Sequence, residues 1–152
     1  MAIPPVSYTR ETPAGYPGMI ATTEGAHADV SSVVEVGSGD IAFGSVVVHG
    51  ATEGTVKAPT AGGKFAGIAV ADRTVPFANG AVFKPYDQLT TKRAGSIFVS
   101  ALAAVAVGDP VYFTATGGLT NASSGNTLIP DAEWVIPTTG AGLSRVRLSV
   151  SK

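Results

Sequence analysis

The segment that most constrains the fold is 95–116, GSIFVSALAAVAVGDPVYFTAT, where two runs rich in β-branched and aromatic residues flank Gly108-Asp109-Pro110. Proline has no N–H to donate and pushes the preceding residue towards extended geometry, so a helix cannot run through this point. The segment reads as strand, turn, strand, and the chain from Ser31 onward repeats that logic. Strands are expected over 32–36, 41–49, 55–57, 65–71, 81–84, 88–93, 97–101, 111–115, 134–136 and 143–150. The last shows the clearest alternation: Val146, Leu148 and Val150 point one way, Arg145, Arg147 and Ser149 the other. Clusters such as Gly37-Ser38-Gly39-Asp40, Ala61-Gly62-Gly63, Ala78-Asn79-Gly80 and Thr116-Gly117-Gly118 supply the turns between them. The alanine-rich stretch 101–107 is the one place where a helical turn fits.

Many short strands with regular turn signals make the chain all-β, as a jelly-roll-like sandwich or a small β-barrel. An internal echo accompanies them. Val36-Gly37-Ser38-Gly39-Asp40-Ile41-Ala42-Phe43 resembles Val105-Ala106-Val107-Gly108-Asp109-Pro110-Val111-Tyr112, each placing Gly-Asp at a turn before an apolar strand. Two related halves would produce this echo; so would convergence on good turn chemistry.

Residues 1–30 differ from this body. Four of the ten prolines (Pro4, Pro5, Pro13, Pro17) fall here, the next being Pro59, and no strand or helix period is present. The expected organisation is an extended proline-rich N-terminal arm over 1–30 and a β domain over 31–152. A disordered tail is the alternative reading, but such tails are usually charged and poor in aromatics. This one carries Ile3, Val6, Tyr8, Tyr16, Met19 and Ile20, with Arg10 and Glu11 its only charges before Glu24. Apolar anchors on a proline-stiffened segment suit a strap lying on another surface. Some thirty extended residues reach about 95 Å, whereas a compact chain of this length has a radius of gyration of about 15 Å.

Chemistry is thinly represented. The absence of cysteine excludes disulfides and thiolate metal sites and agrees with a reducing compartment. Ten basic against eleven acidic side chains leave no excess to neutralise phosphates, which argues against a nucleic-acid partner. No basic segment followed by an apolar one opens the chain, and the longest uncharged stretch, 94–108, is shorter than the roughly 20 residues a bilayer needs. A soluble product without a membrane partner is expected. His27 and His49 lie in no metal-spacing motif, and no Gly-x-Ser-x-Gly elbow occurs. Gly63-Lys64 is followed by Phe65 where a phosphate loop needs Ser or Thr. Acids such as Asp40 and Asp109 sit beside Gly or Pro, where Asp organises turns. Lys84, Lys92 and Arg93 around Tyr86 and Asp87 form a local basic patch, or an ordinary solvated strand edge. No cofactor, metal or catalytic residue is expected.

Four stretches carry a family resemblance: Pro17-Gly18-Met19-Ile20-Ala21, Phe65-Ala66-Gly67-Ile68-Ala69-Val70, Ala104-Val105-Ala106-Val107-Gly108-Asp109-Pro110-Val111-Tyr112 and Thr138-Thr139-Gly140-Ala141-Gly142-Leu143. In this order and spacing the chain resembles the structural cement (capsid decoration) proteins of tailed bacteriophages. The resemblance implies a small β-barrel or jelly-roll-like domain on the outside of an icosahedral shell. It also implies a homodimer or homotrimer that contacts the major capsid protein and is made in the host cytoplasm. It brings no catalytic motif. The candidate capsid contacts are arm residues Pro5, Tyr8, Arg10, Tyr16, Met19 and Ile20, and deleting residues 2–20 is expected to abolish binding with the β domain still folded. Two rivals stand beside this reading. A carbohydrate-binding β-sandwich displayed on a virion would need an exposed aromatic platform, and a two-carboxylate glycosidase would need an acidic pair in a cleft.

Overall fold

The structure, a computed structural model, describes residues 15–22, 28–75 and 80–148. The described residues form twelve strands: β1 (Ile20–Thr22), β2 (Ala28–Val34), β3 (Ile41–Ala42), β4 (Val46–His49), β5 (Thr55–Lys57), β6 (Phe65–Ala69), β7 (Val82–Phe83), β8 (Gln88–Ala101), β9 (Pro110–Phe113), β10 (Leu119–Thr120), β11 (Thr127–Trp134) and β12 (Gly142–Leu148). Among the described residues there is no helix, so the chain is all-β. The helical turn expected over 101–107 is replaced by irregular chain in which Val105 bridges Thr138. The small side chains there carry no helical apolar period to bury.

The strands close into two five-stranded barrels that share β8. The first circuit runs β8–β2–β5–β4–β6 and back to β8, and the second runs β8–β12–β11–β9–β10 and back to β8. Of the two architectures the sequence admits, the barrel is the one formed. In chain order, both circuits pair their first strand with their third in parallel (β2 with β5, β8 with β10). Both then pair third with second, second with fourth, fourth with fifth, and fifth with first, all antiparallel. The topology is therefore duplicated, and β8 is the last strand of one barrel and the first of the next. Its 14 residues are divided accordingly: β2 pairs with it from Gln88 to Ala94, and β12 from Gly95 to Ala101. Gly95, with φ 101°, marks the handover, a backbone angle that a side chain would resist.

The duplication explains the echo and corrects its register. Gly108-Asp109 corresponds to Gly44-Ser45, not to Gly39-Asp40. Gly44 and Gly108 both have positive φ (74° and 86°) and immediately precede β4 and β9 through one intervening residue. Gly44 N–H donates to Ala69 O at 2.8 Å and Ala69 N–H to Ser45 O at 2.9 Å; Gly108 N–H donates to Trp134 O at 2.8 Å and Trp134 N–H to Asp109 O at 3.0 Å. Beyond the strands, Ala51-Thr52-Glu53-Gly54 aligns with Ala115-Thr116-Gly117-Gly118. Gly39-Asp40 instead feeds β3, which pairs only with β7, a two-stranded cap on the first barrel.

The Gly108-Asp109 turn is held by its own carboxylate. Asp109 Oδ2 accepts from Ala106 N–H at 3.0 Å and from Asn121 Nδ2 at 2.7 Å. These bonds, the backbone one foremost, hold its pKa below the usual carboxylate range. Pro110 then opens β9, a first-residue position where a missing N–H costs no ladder bond.

Burial follows the two rings. Val34, Val47, Val56, Ala69, Leu89 and the cap residues Ile41 and Phe83 form one core. The other gathers Ile97, Val99, Val111, Phe113, Leu119, Ile129, Trp134 and Val146, together with Val46, Val48 and Ile68 from the first barrel. Thus Val47 faces one core while its neighbours Val46 and Val48 join the other. A strand buried on both faces reads as an unbroken apolar run, as Val46-Val47-Val48 does. At this junction Lys92, 1% exposed, pairs with Asp29 directly across β2, Nζ to Oδ1 at 3.0 Å.

Candidate functional site

The described part of the expected arm does not hang free. Tyr16-Pro17-Gly18-Met19 forms a turn in which Met19 N–H donates to Tyr16 O at 3.0 Å. Proline at its second position and glycine of φ 83° at its third are the residues a type II turn demands. Gly18 then ties the barrels together: its N–H donates to Phe98 O at 2.8 Å, and its carbonyl accepts from Ala71 N–H at 2.9 Å. Phe98 N–H donates in turn to Met19 O at 2.9 Å, and Ile20 pairs with Ile97 in β8. Gly15 lies on the ring of Phe98, where a Cβ would come within 2.7 Å of the ring edge. The turn therefore clasps the waist where the two barrels meet.

This placement sorts the six candidate contacts. Met19 and Ile20 are half-buried and spend their backbone on β8. Tyr16 is 42% exposed. Pro5, Tyr8 and Arg10 lie outside the described residues. Next to the clasp is a concavity of about 440 Å³ lined by Pro17, Phe43, Ser45, Ser100, Leu102 and Gly117, among others. Leu102 is 53% exposed. The alternation that buries Ala101 turns Leu102 outward, a signal present in the sequence.

A second exposed aromatic is Tyr86. Tyr86 is 72% exposed and has φ 73°, a left-handed angle that costs a side-chain-bearing residue about 1–2 kcal/mol. It sits in the turn Lys84-Pro85-Tyr86-Asp87, closed by Asp87 N–H donating to Lys84 O and Lys84 N–H to Asp87 Oδ2. Of the two readings offered for Lys84, Lys92 and Arg93, the basic patch does not form. Lys84 pairs with Asp40 at 2.7 Å, Lys92 is buried against Asp29, and Arg93 Nε donates to Ala66 O. Alternation along β8 sends Lys92 and Arg93 to opposite faces. Arg147 pairs within the chain with Glu133, its partner across β11 and β12.

Four carboxylates accept hydrogen bonds from backbone N–H groups: Glu35 from Ala51, Asp72 from Thr74, and Asp87 and Asp109 within their own turns. The Thr74 bonds, backbone first, hold the Asp72 pKa below its usual range. The only tryptophan, Trp134, is fully buried and offers no platform to a sugar. What the arrangement provides is a double barrel with a clasped N-terminal root and several exposed apolar side chains, among them Tyr16, Tyr86 and Leu102.

The family model described as structural cement protein (E217 gp24/Pam3 gp6) matches residues 4–149. A chain in the capsid of Myoviridae phage XM1 is similar at 21% identity and a TM-score of 0.74, covering 98% of this chain and 98% of that one. The head fiber gp8.5 N base of bacteriophage phi29 is similar at 13% identity and a TM-score of 0.50, covering 84% of this chain and 98% of that one. At these identities the two likenesses are of fold. None of the curated proteins matches the chain.

Proposed function

This chain belongs to the structural cement protein family, and from that membership we propose that it binds the outside of a phage icosahedral capsid and stabilises the shell by bridging major capsid protein subunits. The match over residues 4–149 carries the reading, because it spans both barrels and the clasped root together. A phage structural role and a place in the virion capsid go with the family; the outer face, synthesis in the host cytoplasm, the bridging contacts and a homodimeric or homotrimeric state are proposals. A structural family also suggests a protein without catalytic activity.

The clasp suggests how bridging is achieved. Residues 15–22 fix where residue 14 joins the double barrel, and fourteen residues can span at most about 50 Å. We assign to that segment, with Pro5, Tyr8 and Arg10, the contacts beyond the barrel's own footprint, and to Tyr16 those at its root. A stable footprint needs about 800 Å² per partner, and linked contacts add avidity through effective concentration. Binding only the assembled lattice stabilises that state by mass action.

The deletion that tests this must stop before Gly15, since removal through Ile20 also takes away the clasp and β1. A chain lacking residues 2–14 is expected to keep its melting temperature within about 2 °C and to co-sediment with bare capsids at least about tenfold more weakly than the full chain, a loss of about 1.4 kcal/mol. Co-sedimentation equal to that of the full chain would remove the arm from the interface.

A further inference from the structure

One end of the first barrel bears a strain that nothing among the described residues offsets. The turn Lys84-Pro85-Tyr86-Asp87 holds Tyr86 at φ 73° directly after a proline, in the slot where the Tyr16–Met19 turn places Gly18 at φ 83°. Type II turns take glycine in that slot. Asp131, the other described residue that carries a side chain at positive φ, is of a type that tolerates the angle; a bulky aromatic is not. Tyr86 is nonetheless 72% exposed, and the ring pairs among the described residues, Phe43 with Phe83 and Phe65 with Phe113, do not include it. Backbone strain of this kind is kept where the strained residue has work to do, and the core gives Tyr86 none.

Beside this projection lies a recess. A concavity of about 420 Å³, ample for one tyrosine side chain, is lined by Val36, Ser38 and Gly39 from the turn after β2 and by Lys57, Pro59 and Thr60 from the end of β5 onward. Its two segments are held together, since Ser38 Oγ accepts from Ala58 N–H at 2.9 Å. Val36 is 62% exposed, an apolar side chain left in water. Projection and recess are tied side by side. Tyr86 N–H donates to Val34 O at 3.0 Å, and Lys84 pairs at 2.7 Å with Asp40, the residue after Gly39. Lys57 and Lys84 stand among Glu35, Asp40 and Asp87, so the surface carries both signs and can face a copy of itself without like-charge repulsion.

We infer that this end of the first barrel pairs with the same end of a second copy about a two-fold axis, Tyr86 of each chain seating beside Val36 of the other. A two-fold contact needs projection and recess on a single surface, and each seat is then made twice. Tyrosine is among the residues enriched at such contacts. The inference builds on the cement reading, for which a homodimer or homotrimer is proposed, and assigns the dimer its surface.

Sedimentation velocity of the full chain tests it. Wild type is expected to be dimeric at about 0.1 mM, and Tyr86→Gly and Val36→Lys each to raise the dissociation constant at least about tenfold. Both side chains are exposed, so neither change opens a core. Tyr86→Gly has a second readout. In solution dilute enough to hold monomers, it is expected to raise the melting temperature by about 2 °C, because the strain relieved exceeds the freedom glycine gains in the unfolded chain. A fall instead would mean that Tyr86 packs on its own chain, and the inference would be lost. A wild type that is monomeric or trimeric, or variants that pair as wild type does, would overturn the dimer surface and leave the cement reading standing. Bare capsids that take up no wild-type chain would overturn the cement reading and leave the dimer standing.

Discussion

Gly18→Ala is expected to destabilise the double barrel by about 3–4 kcal/mol and to loosen the N-terminal root with it. The added methyl meets two costs. At φ 83° a side chain is strained by about 1–2 kcal/mol. A Cβ at this position would also lie 2.7 Å from Ala71 N and 3.0 Å from Gly44 N, both backbone atoms of the first barrel that cannot swing aside. Relief comes only by lifting the turn, which gives up the bonds from Gly18 N–H to Phe98 O and from Ala71 N–H to Gly18 O, each contributing about 0.5–1.5 kcal/mol. Gly37→Ala is the matched control. Its φ is 80°, yet nothing lies within 4 Å of a Cβ there, so it should lose only the conformational part, about 1 kcal/mol. Denaturant unfolding of the two variants separates strain from packing. Equal losses would mean that the clasp contributes nothing to the body.

The second large effect concerns the waist ion pair. Asp29→Ala is expected to cost about 3 kcal/mol, whereas Lys92→Met should stay within about 1 kcal/mol of wild type. The asymmetry is one of burial. The Lys92 side chain is 1% exposed and its partner 32%, so removing Asp29 strands an ammonium among apolar neighbours, while removing Lys92 leaves a carboxylate that water still reaches. The low end of the range for broken buried pairs applies because Asp29 is partly solvated. Thermal unfolding of both variants and of the double variant checks the sign: the double variant should resemble Lys92→Met. If Lys92→Met proved the more damaging, the pair would be stabilising on balance.

Where the sequence could be read, the reason was periodicity. β12 alternates cleanly, Pro110 marks a strand start, and positive-φ glycines punctuate the turns, so an all-β body and most of its strands were accessible. β11 was reduced to its end because Pro130 and Asp131, the latter at φ 55°, interrupt its alternation with a bulge against β9. β10 is two residues long and leaves no pattern. β8 was broken in two at Gly95, since a glycine within a strand reads as a stop when the chain is in fact passing between barrels. The sequence echo lies one turn out of register because Gly39-Asp40 copies the letters of Gly108-Asp109, whereas Gly44-Ser45 copies its hydrogen bonds. Met19 and Ile20 pair with β8 through their backbones, a tie that their apolar side chains do not announce. Lys92 drew attention as a surface charge because burial of a lysine depends on Asp29, far away in sequence and opposite in register.

The central claim is that this double barrel cements a shell, and the most direct measurement is the thermal and osmotic resistance of particles assembled without it, before and after the purified chain is added back. The expected result is early rupture of the bare particles, restored by the full chain and not by the chain lacking residues 2–14. Bare particles as resistant as complete ones would contradict the cementing role.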